Sequence, residues 1–565
     1  MKIKTACLLG LLLLGHRWAF SQLLNENDAA FTRADSLRGS LTPLRTCYDV
    51  GFYHLNIRVN PQTRSIAGNN LIRFKVISSF ERFQLDLYDT LSIDKIVYKG
   101  KNLPFTREFN AVFVQFPSTL ALGSIQEVKV YYHGVPTVAK RPPWDGGFVW
   151  NKDVQGKHWV GVACQGAGAS LWWPCKDHQS DEPDSMAISV AVPKDLVEVS
   201  NGRLRGKKTL PGGYERYDWF VSYPINSYDV TINIADYASF SDIYQGKNTK
   251  PLTLDYYVLR ENLKKAKTQF AQVKPMMACF EKYFGPYHFP RDGYKLVETP
   301  YLGMEHQSAV AYGNKYLQGY LGAATSPWGL KFDYIIIHES GHEWWGNSVS
   351  SKDMADMWIH ESFTTYAEAL YVECMYGYPA ALTYMNAQKG NIGNEEPIIG
   401  PYGVNKEGSG DMYNKGMLLL NTLRNVVNDD KKWFAAIYGL SQEFKYKTTT
   451  AEELIASFNK YLGKDYTYFF DQYLRHAQLP KLLLYYVEKD GNIFATFRWE
   501  TDVPDFRMPV KITTAKGKYE FIEPTTEFKT ILLKDLPFEE LHIATDLFYM
   551  DSEVAPKYFD PKATD

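Results

Sequence analysis

Cysteine is scarce in this chain, six residues in 565, which excludes the disulfide-dense scaffolds that small exported domains use in place of a core. An excess of either charge is also lacking: 62 Lys and Arg face 64 Asp and Glu, for a net charge of −2. No overall field recommends nucleic acid or an anionic membrane as the main partner, so a substrate has to be sought in a site. After the first residues no apolar run approaches the ~20 residues that a membrane span requires. Internal repeats and low-complexity tracts are missing, which excludes a solenoid. What is there is an ordinary globular composition, 45% hydrophobic and 22% charged, in a chain long enough for roughly two to four domains.

The one apolar run of note opens the chain. A short basic start with Lys2 and Lys4 precedes the apolar stretch Leu8–Leu14, and small residues around Ala19-Phe20-Ser21 suggest cleavage before Gln22. That is the pattern of a secretory signal peptide over residues 1–21. The mature protein is therefore expected to be exported, to a periplasm or out of the cell, without a stable membrane span. The alternative, a retained anchor, is disfavoured by the shortness of the run. Cleavage leaves Cys47, Cys164, Cys175, Cys279 and Cys374, an odd set in which one bridge is possible and none is required.

From about Tyr48 to Tyr237 short β-branched and aromatic runs alternate with turn residues, as at 52–61, 68–76, 185–192 and 229–234. This predicts an N-terminal β-sheet domain, residues 22–240. After Tyr256 the texture becomes helical around 264–273, with a strand expected at 294–298 and helices continuing to about Arg475, giving a mostly helical domain over 241–480. Beyond Pro480 alternation returns, with a hairpin expected at Asp490-Gly491, so residues 481–565 form a small C-terminal β domain. The fold class is α+β and multidomain.

The chemistry concentrates in Tyr334–Asn347, which contains His338-Glu339-Ser340-Gly341-His342. Histidines four apart share one helical face and can reach one zinc ion, while Glu339 is placed as a general base for the water that the metal activates. Gly341 is a poor helix former unless a close buried contact requires it. So short a motif arises by chance too often to decide alone, and a third ligand is needed. A metzincin would place one six residues after the second histidine, following a glycine at the third, but those positions hold Ser348 and Trp345. A glutamate on the next helix is available instead, Glu361 in Trp358–Leu370, after eighteen intervening residues. The polar stretch Ser348–Asp353 gives the chain its turn, so that His338, His342 and Glu361 leave one position of a tetrahedral zinc site open.

With this spacing, and with the Trp-x-Gly-Asn continuation and the Trp-x-x-Glu setting of Glu361, the chain resembles the M1 family of zinc aminopeptidases, which are gluzincins. The resemblance implies a thermolysin-like catalytic domain, one zinc ion per chain, and a peptide substrate with a free N-terminus. A second family signature is matched imperfectly at Leu302-Gly303-Met304-Glu305-His306, where Leu302 replaces glycine and His306 replaces asparagine. Glu305 is chemically the part that matters, because a free α-amino group in a dry cleft needs an anionic partner. Gly303 and Met304 would line the substrate beside it, and His306 is expected to pack. Tyr413, in a Tyr-x-Lys-Gly context, is implied to stabilise the oxyanion. Gln165, ahead of a Pro-Cys-x-Asp motif at Pro174–Asp177, is the implied amine or carbonyl contact, though an ordinary loop glutamine reads the same. Glu368, two helical turns after Glu361, either orients a metal ligand or belongs to a solvated face. The family's long helical C-terminal domain has no match here, which implies a less enclosed cleft.

The expected function is a zinc aminopeptidase, with Glu339 and Tyr413 as catalytic residues. The alternatives are a gluzincin endopeptidase or other zinc hydrolase, kept open by Leu302 and His306, and a non-catalytic peptide- or glycan-binding protein. An intact Glu339 argues against the last, because binding alone needs no general base.

Overall fold

The computed structural model describes residues 31–556 apart from Asn248; the expected signal peptide lies outside the described residues. The first half is β-structure. Along Tyr48–Asn60 the alternate residues Leu55, Ile57 and Val59 are buried, while Arg58 points to solvent, as a pleated strand with one face on a core requires. This strand pairs antiparallel with Ser65–Val76 and parallel with Ser185–Pro193 inside an eight-stranded sheet. A three-stranded and a four-stranded sheet complete this region. Tyr48 packs edge-on against Phe74 and Phe83, at ring separations of 5.4 and 4.8 Å, in a core that reaches across to Val297, Tyr301, Met304 and Ala311. The N-terminal region and the strands beside the site therefore share packed side chains.

A five-stranded sheet follows, in the order Tyr237–Tyr244, Leu252–Leu259, Tyr294–Glu298, Val310–Tyr312, Gly303–Met304. The strand expected at 294–298 is present, and the two-residue strand Gly303–Met304 forms the sheet's edge. The helices of this region include Val273–Phe284, Tyr334–Gly341, Trp358–Tyr376 and Asn414–Val427, the second of which lies against the strands Val310–Tyr312 and Gly303–Met304. Cys279 and Cys374 form a disulfide between the first and third of these, while Cys47, Cys164 and Cys175 are buried free thiols. The expected hairpin pairs Lys481–Lys489 with Asn492–Glu500. Asp490 and Gly491 at its tip both have positive φ, 55° and 72°, the backbone of a type I′ turn. The terminal strands bury Leu482, Leu484 and Trp499 in the same core as the helices. Among the described residues no helix is long and apolar enough to cross a membrane.

Candidate active site

The helix Tyr334–Gly341 is started by Asp333, whose carboxylate accepts from the backbone N–H groups of Ile335 and Ile336 at 3.1 and 3.4 Å, satisfying donors that a helix start leaves open. Ile335, Ile336 and Ile337 are buried and fix the rotation of the helix, which turns His338 and His342 toward one point. A Cβ at Gly341 would stand 3.0 Å from the Thr364 side chain, so glycine lets the helix Trp358–Tyr376 approach closely enough to deliver Glu361. The segment between the two helices, expected as a turn, also contains a short strand, Val349–Ser351, pairing in parallel with Lys447–Thr449. Sequence spacing could not show that partner, which lies a hundred residues downstream.

Nε2 of His338, Nε2 of His342 and Oε2 of Glu361 form a triangle with edges of 3.4, 3.5 and 3.6 Å. Donors bound to zinc at ~2.0–2.1 Å in tetrahedral geometry are about 3.4 Å apart. The remaining atoms agree with that use. His338 Nδ1 donates to Glu368 Oε1 at 2.7 Å, and His342 Nδ1 donates to the Trp345 carbonyl at 3.0 Å, which leaves both Nε2 lone pairs facing the triangle. Glu361 is buried, and its Oε2 has no hydrogen-bond partner, a costly arrangement unless a cation completes it. Against burial, which raises it, the two imidazoles hold the Glu361 carboxyl down to about 2. Glu305, Glu339 and His342 make a second possible metal group. It fits less well, because Glu305 Oε1 already accepts from Tyr228 Oη at 2.9 Å and Gln165 Nε2 at 2.7 Å, and its Oε2 is 4.0 Å from His342 Nε2.

Glu305 and Glu339 border the triangle. Burial, then the charges of Glu361 and Glu339, push the Glu305 carboxyl well above the carboxylate range. Burial pushes Glu339 up to about 7. Gly303 lies directly on Glu339: a Cβ there would sit 2.7 Å from Glu339 Oε1 and 2.7 Å from Ile335 Cγ2, so a side chain at 303 would displace Glu339. The backbone of Glu305 is held by Asn347, whose Nδ2 donates to its carbonyl at 2.8 Å, and Met304 pairs with Ala311 on the sheet edge. Gln165 is half-buried and also donates to Glu361 Oε1 at 3.4 Å. The structure thus brings together His338, His342, Glu361, Glu339, Glu305, Gln165 and Gly303, with Met304 adjoining.

Tyr413 heads the helix Asn414–Val427 with its ring stacked over His338 at 6.0 Å, and burial, then Glu361, raise its phenol well above its ordinary value. His306 is buried, and neither ring nitrogen has a hydrogen-bond partner; burial pushes it down to about 3. Its packing environment is the expected one. Glu368 resolves between its two readings: it is buried, and besides His338 it accepts from Tyr384 Oη at 2.5 Å. Sequence reasoning missed Tyr228, which bonds Glu305, and Tyr334, stacked on His338 at 5.2 Å. Tyr334, one turn before His338, was within reach of helical spacing; Tyr228 carried no signal.

Residues 268–473 match the model of the peptidase family M1 domain. Among curated proteins the chain is similar to leukotriene A-4 hydrolase of Xenopus laevis, 24% identical over 451 residues, 75% of this chain and 69% of that protein. It is also similar to aminopeptidase B of Mus musculus, 25% identical over 383 residues, 63% of this chain and 54% of that protein; the chain thus spans about half the length of the latter. Among solved structures, the M1 zinc metallopeptidase of Deinococcus radiodurans shares the fold, with a TM-score of 0.65 at 19% identity, covering 77% of this chain and 94% of that one. A mutant of that enzyme bound to the substrate Tyr-Ser-Ala also gives 0.65, at 18% identity and 79% and 98% coverage. With the family match lying over the helices that carry the His-His-Glu triangle, residues 268–473 form a peptidase family M1 domain.

Proposed function

We propose that this chain removes the N-terminal residue from peptides. The observation that carries the reading is the carboxylate of Glu305, buried beside the His338–His342–Glu361 triangle, held by Tyr228 and Gln165, with its Oε2 4.0 Å from His342 Nε2. When bound at the three donors, zinc supplies Lewis acidity and makes a water molecule nucleophilic near neutral pH. Glu305 and Gln165 receive the α-ammonium group and fix which carbonyl reaches the centre. The edge strand Gly303–Met304 offers its free backbone side to the extended substrate. Glu339 takes a proton from the attacking water and delivers it to the leaving amine. Tyr413 donates to the oxygen on which negative charge develops. Glu368 holds the His338 ring in one tautomer.

The test is release of amino acids from free and N-acetylated peptides by the zinc-loaded protein, with Glu339→Gln beside it. Turnover of free amines alone, lost in the variant, is expected. Efficient internal cleavage of N-blocked peptides would move the assignment to an endopeptidase on the same metal site, and zinc binding without hydrolysis of any peptide would move it to a binding protein. Export is part of the same proposal. The basic and apolar N-terminus supports it, as does the Cys279–Cys374 bridge, since lasting disulfides belong to oxidising compartments.

A further inference from the structure

Glu305 is held through one of its two oxygens. Its Oε1 accepts from Gln165 Nε2 at 2.7 Å and from Tyr228 Oη at 2.9 Å, while its Oε2 lies toward the metal position, 4.0 Å from His342 Nε2. The Tyr228 hydroxyl has a single proton, and the bond to Glu305 exists only while that proton points at the carboxylate. What directs it lies one residue before Glu361. His360 is buried, and its Nε2 accepts the backbone N–H of Ser351 at 2.8 Å. A ring nitrogen that accepts is unprotonated, so the imidazole proton sits on Nδ1, and Nδ1 lies 3.4 Å from Tyr228 Oη. His360 therefore donates to the phenol oxygen from the far side, and the hydroxyl proton is turned away from the imidazole and onto Glu305.

The fold holds this series of donors at both ends. Ser351 closes the strand Val349–Ser351, whose parallel pairing with Lys447–Thr449 fixes where its N–H points. Gly346, with φ at 127°, lies against two rings: a Cβ there would stand 3.0 Å from His342 Nδ1 and 3.5 Å from His360 Nδ1, so any side chain would press on the edge that His360 presents. At the other end Cys164 Sγ donates to the Tyr228 carbonyl at 3.3 Å, and Cys164 adjoins Gln165, so the two donors to Glu305 Oε1 are tied to each other. Tyr228 is 4% exposed and His360 and Ser351 are fully buried, which leaves the order of the protons to the protein's own donors and acceptors.

We infer that His360 is a positioning residue for substrate binding: by donating to Tyr228 it turns the phenol proton onto Glu305 Oε1, which occupies that oxygen and leaves Oε2 to the α-ammonium group. The inference rests on the aminopeptidase reading and adds a residue to its amine site. The test measures, by calorimetry on the zinc-loaded chain, the affinities of leucine hydroxamate and of isocaprohydroxamate, the same molecule without its amine. Both carry the same metal-binding group, so the ratio of their affinities isolates what the amine gains. In the parent the amine should raise affinity at least about tenfold, the scale of one charge-assisted hydrogen bond. Tyr228→Phe, which keeps the ring and deletes the hydroxyl, should lower that ratio at least about threefold. Two variants of His360 then separate positioning from packing. His360→Asn puts an amide donor where Nδ1 stands and gives up the bond from Ser351, whereas His360→Gln reaches Ser351 and leaves no donor at the Nδ1 position. The ratio should stay close to the parent's in His360→Asn and fall in His360→Gln as far as in Tyr228→Phe; a merely structural role would favour His360→Gln. A ratio unchanged in Tyr228→Phe, or no lower in His360→Gln than in His360→Asn, would overturn this inference while leaving the role of Glu305 standing. Equal affinities of the two hydroxamates for the parent would overturn both.

Discussion

Replacing Glu305 by Gln separates amine recognition from metal binding. The side chain keeps its shape and one acceptor oxygen, so Tyr228 and Gln165 retain a partner, and only the charge is lost. A hydrogen bond to a charged group is worth about 1.5–3 kcal/mol against 0.5–1.5 for a neutral one. Truncating one side of a buried charge pair costs about 2–5 kcal/mol. A loss of about 2–4 kcal/mol with free-amine substrates means a fall in kcat/KM of about 30- to 1000-fold. The folded protein should not suffer, because the Glu305 carboxyl is held well above its ordinary value by burial and by Glu361 and Glu339. Removing that charge is expected to raise stability by about 0.5–2 kcal/mol, the usual exchange of function for stability at such sites. Peptide hydrolysis, thermal unfolding and zinc content are measured on the same preparation, with Glu361→Gln in parallel. One zinc per chain should survive in Glu305→Gln and be lost in Glu361→Gln. The opposite zinc pattern would put the metal in the Glu305–Glu339–His342 group, and a fall in kcat/KM of less than threefold would refute the role of Glu305.

Glu368→Ala removes the acceptor for His338 Nδ1 and should weaken zinc binding about 10- to 100-fold, read by competition with a chelator. Arg38 ties the loop carrying Gln165 in place: it donates to the Ala167 carbonyl at 2.5 Å and to Ser170 Oγ at 3.1 Å, and pairs with Asp177 at 3.0 Å. Arg38→Ala should raise KM more than it lowers kcat and cost about 3–5 kcal/mol of stability, as breaking a buried pair does; equal effects on KM and kcat would argue against a positioning role. The Cys279–Cys374 bridge spans 95 residues of sequence, so Cys279→Ser should lower unfolding stability by about 2–4 kcal/mol, matched in the parent by reductant and checked by denaturant titration.

What the sequence made legible was whatever is local in the chain. The His338/His342 pair lies within one helical turn, the alternation of Leu55, Ile57 and Val59 within one strand, and the positive-φ turn at Asp490-Gly491 within one hairpin. Glu361 was within reach because it follows the motif at a recognisable spacing on the next helix, and Glu305 because a second motif carried it. Glu368 stayed between two readings, since a glutamate two turns on can face His338 or solvent, and only the packing of Tyr384 against it decides. Tyr228 was invisible for the opposite reason: it reaches Glu305 across 77 residues, and nothing in its own neighbourhood distinguishes it among 40 tyrosines. The parallel pairing of Val349–Ser351 with Lys447–Thr449 failed to register on the same ground, three residues being too few for a periodicity.

The electrostatics of the site join binding to catalysis. Glu305, Glu339 and Glu361 are all buried, and three neighbouring carboxylates cannot all stay ionised without cations. A divalent ion at the triangle offsets the charge of Glu361 and leaves a surplus that favours ionised Glu339, the form in which it can accept a proton. Glu305 has no such counter-charge until an α-ammonium group arrives on it. Without that group an ionised Glu305 pushes the Glu339 carboxyl upward, which disfavours the base. An N-acetylated peptide brings no cation, so its penalty should fall on kcat as well as on KM. Steady-state kinetics of a matched free and acetylated pair decide the point: a blocked substrate that loses only in KM would mean that Glu305 anchors the peptide without influencing the base.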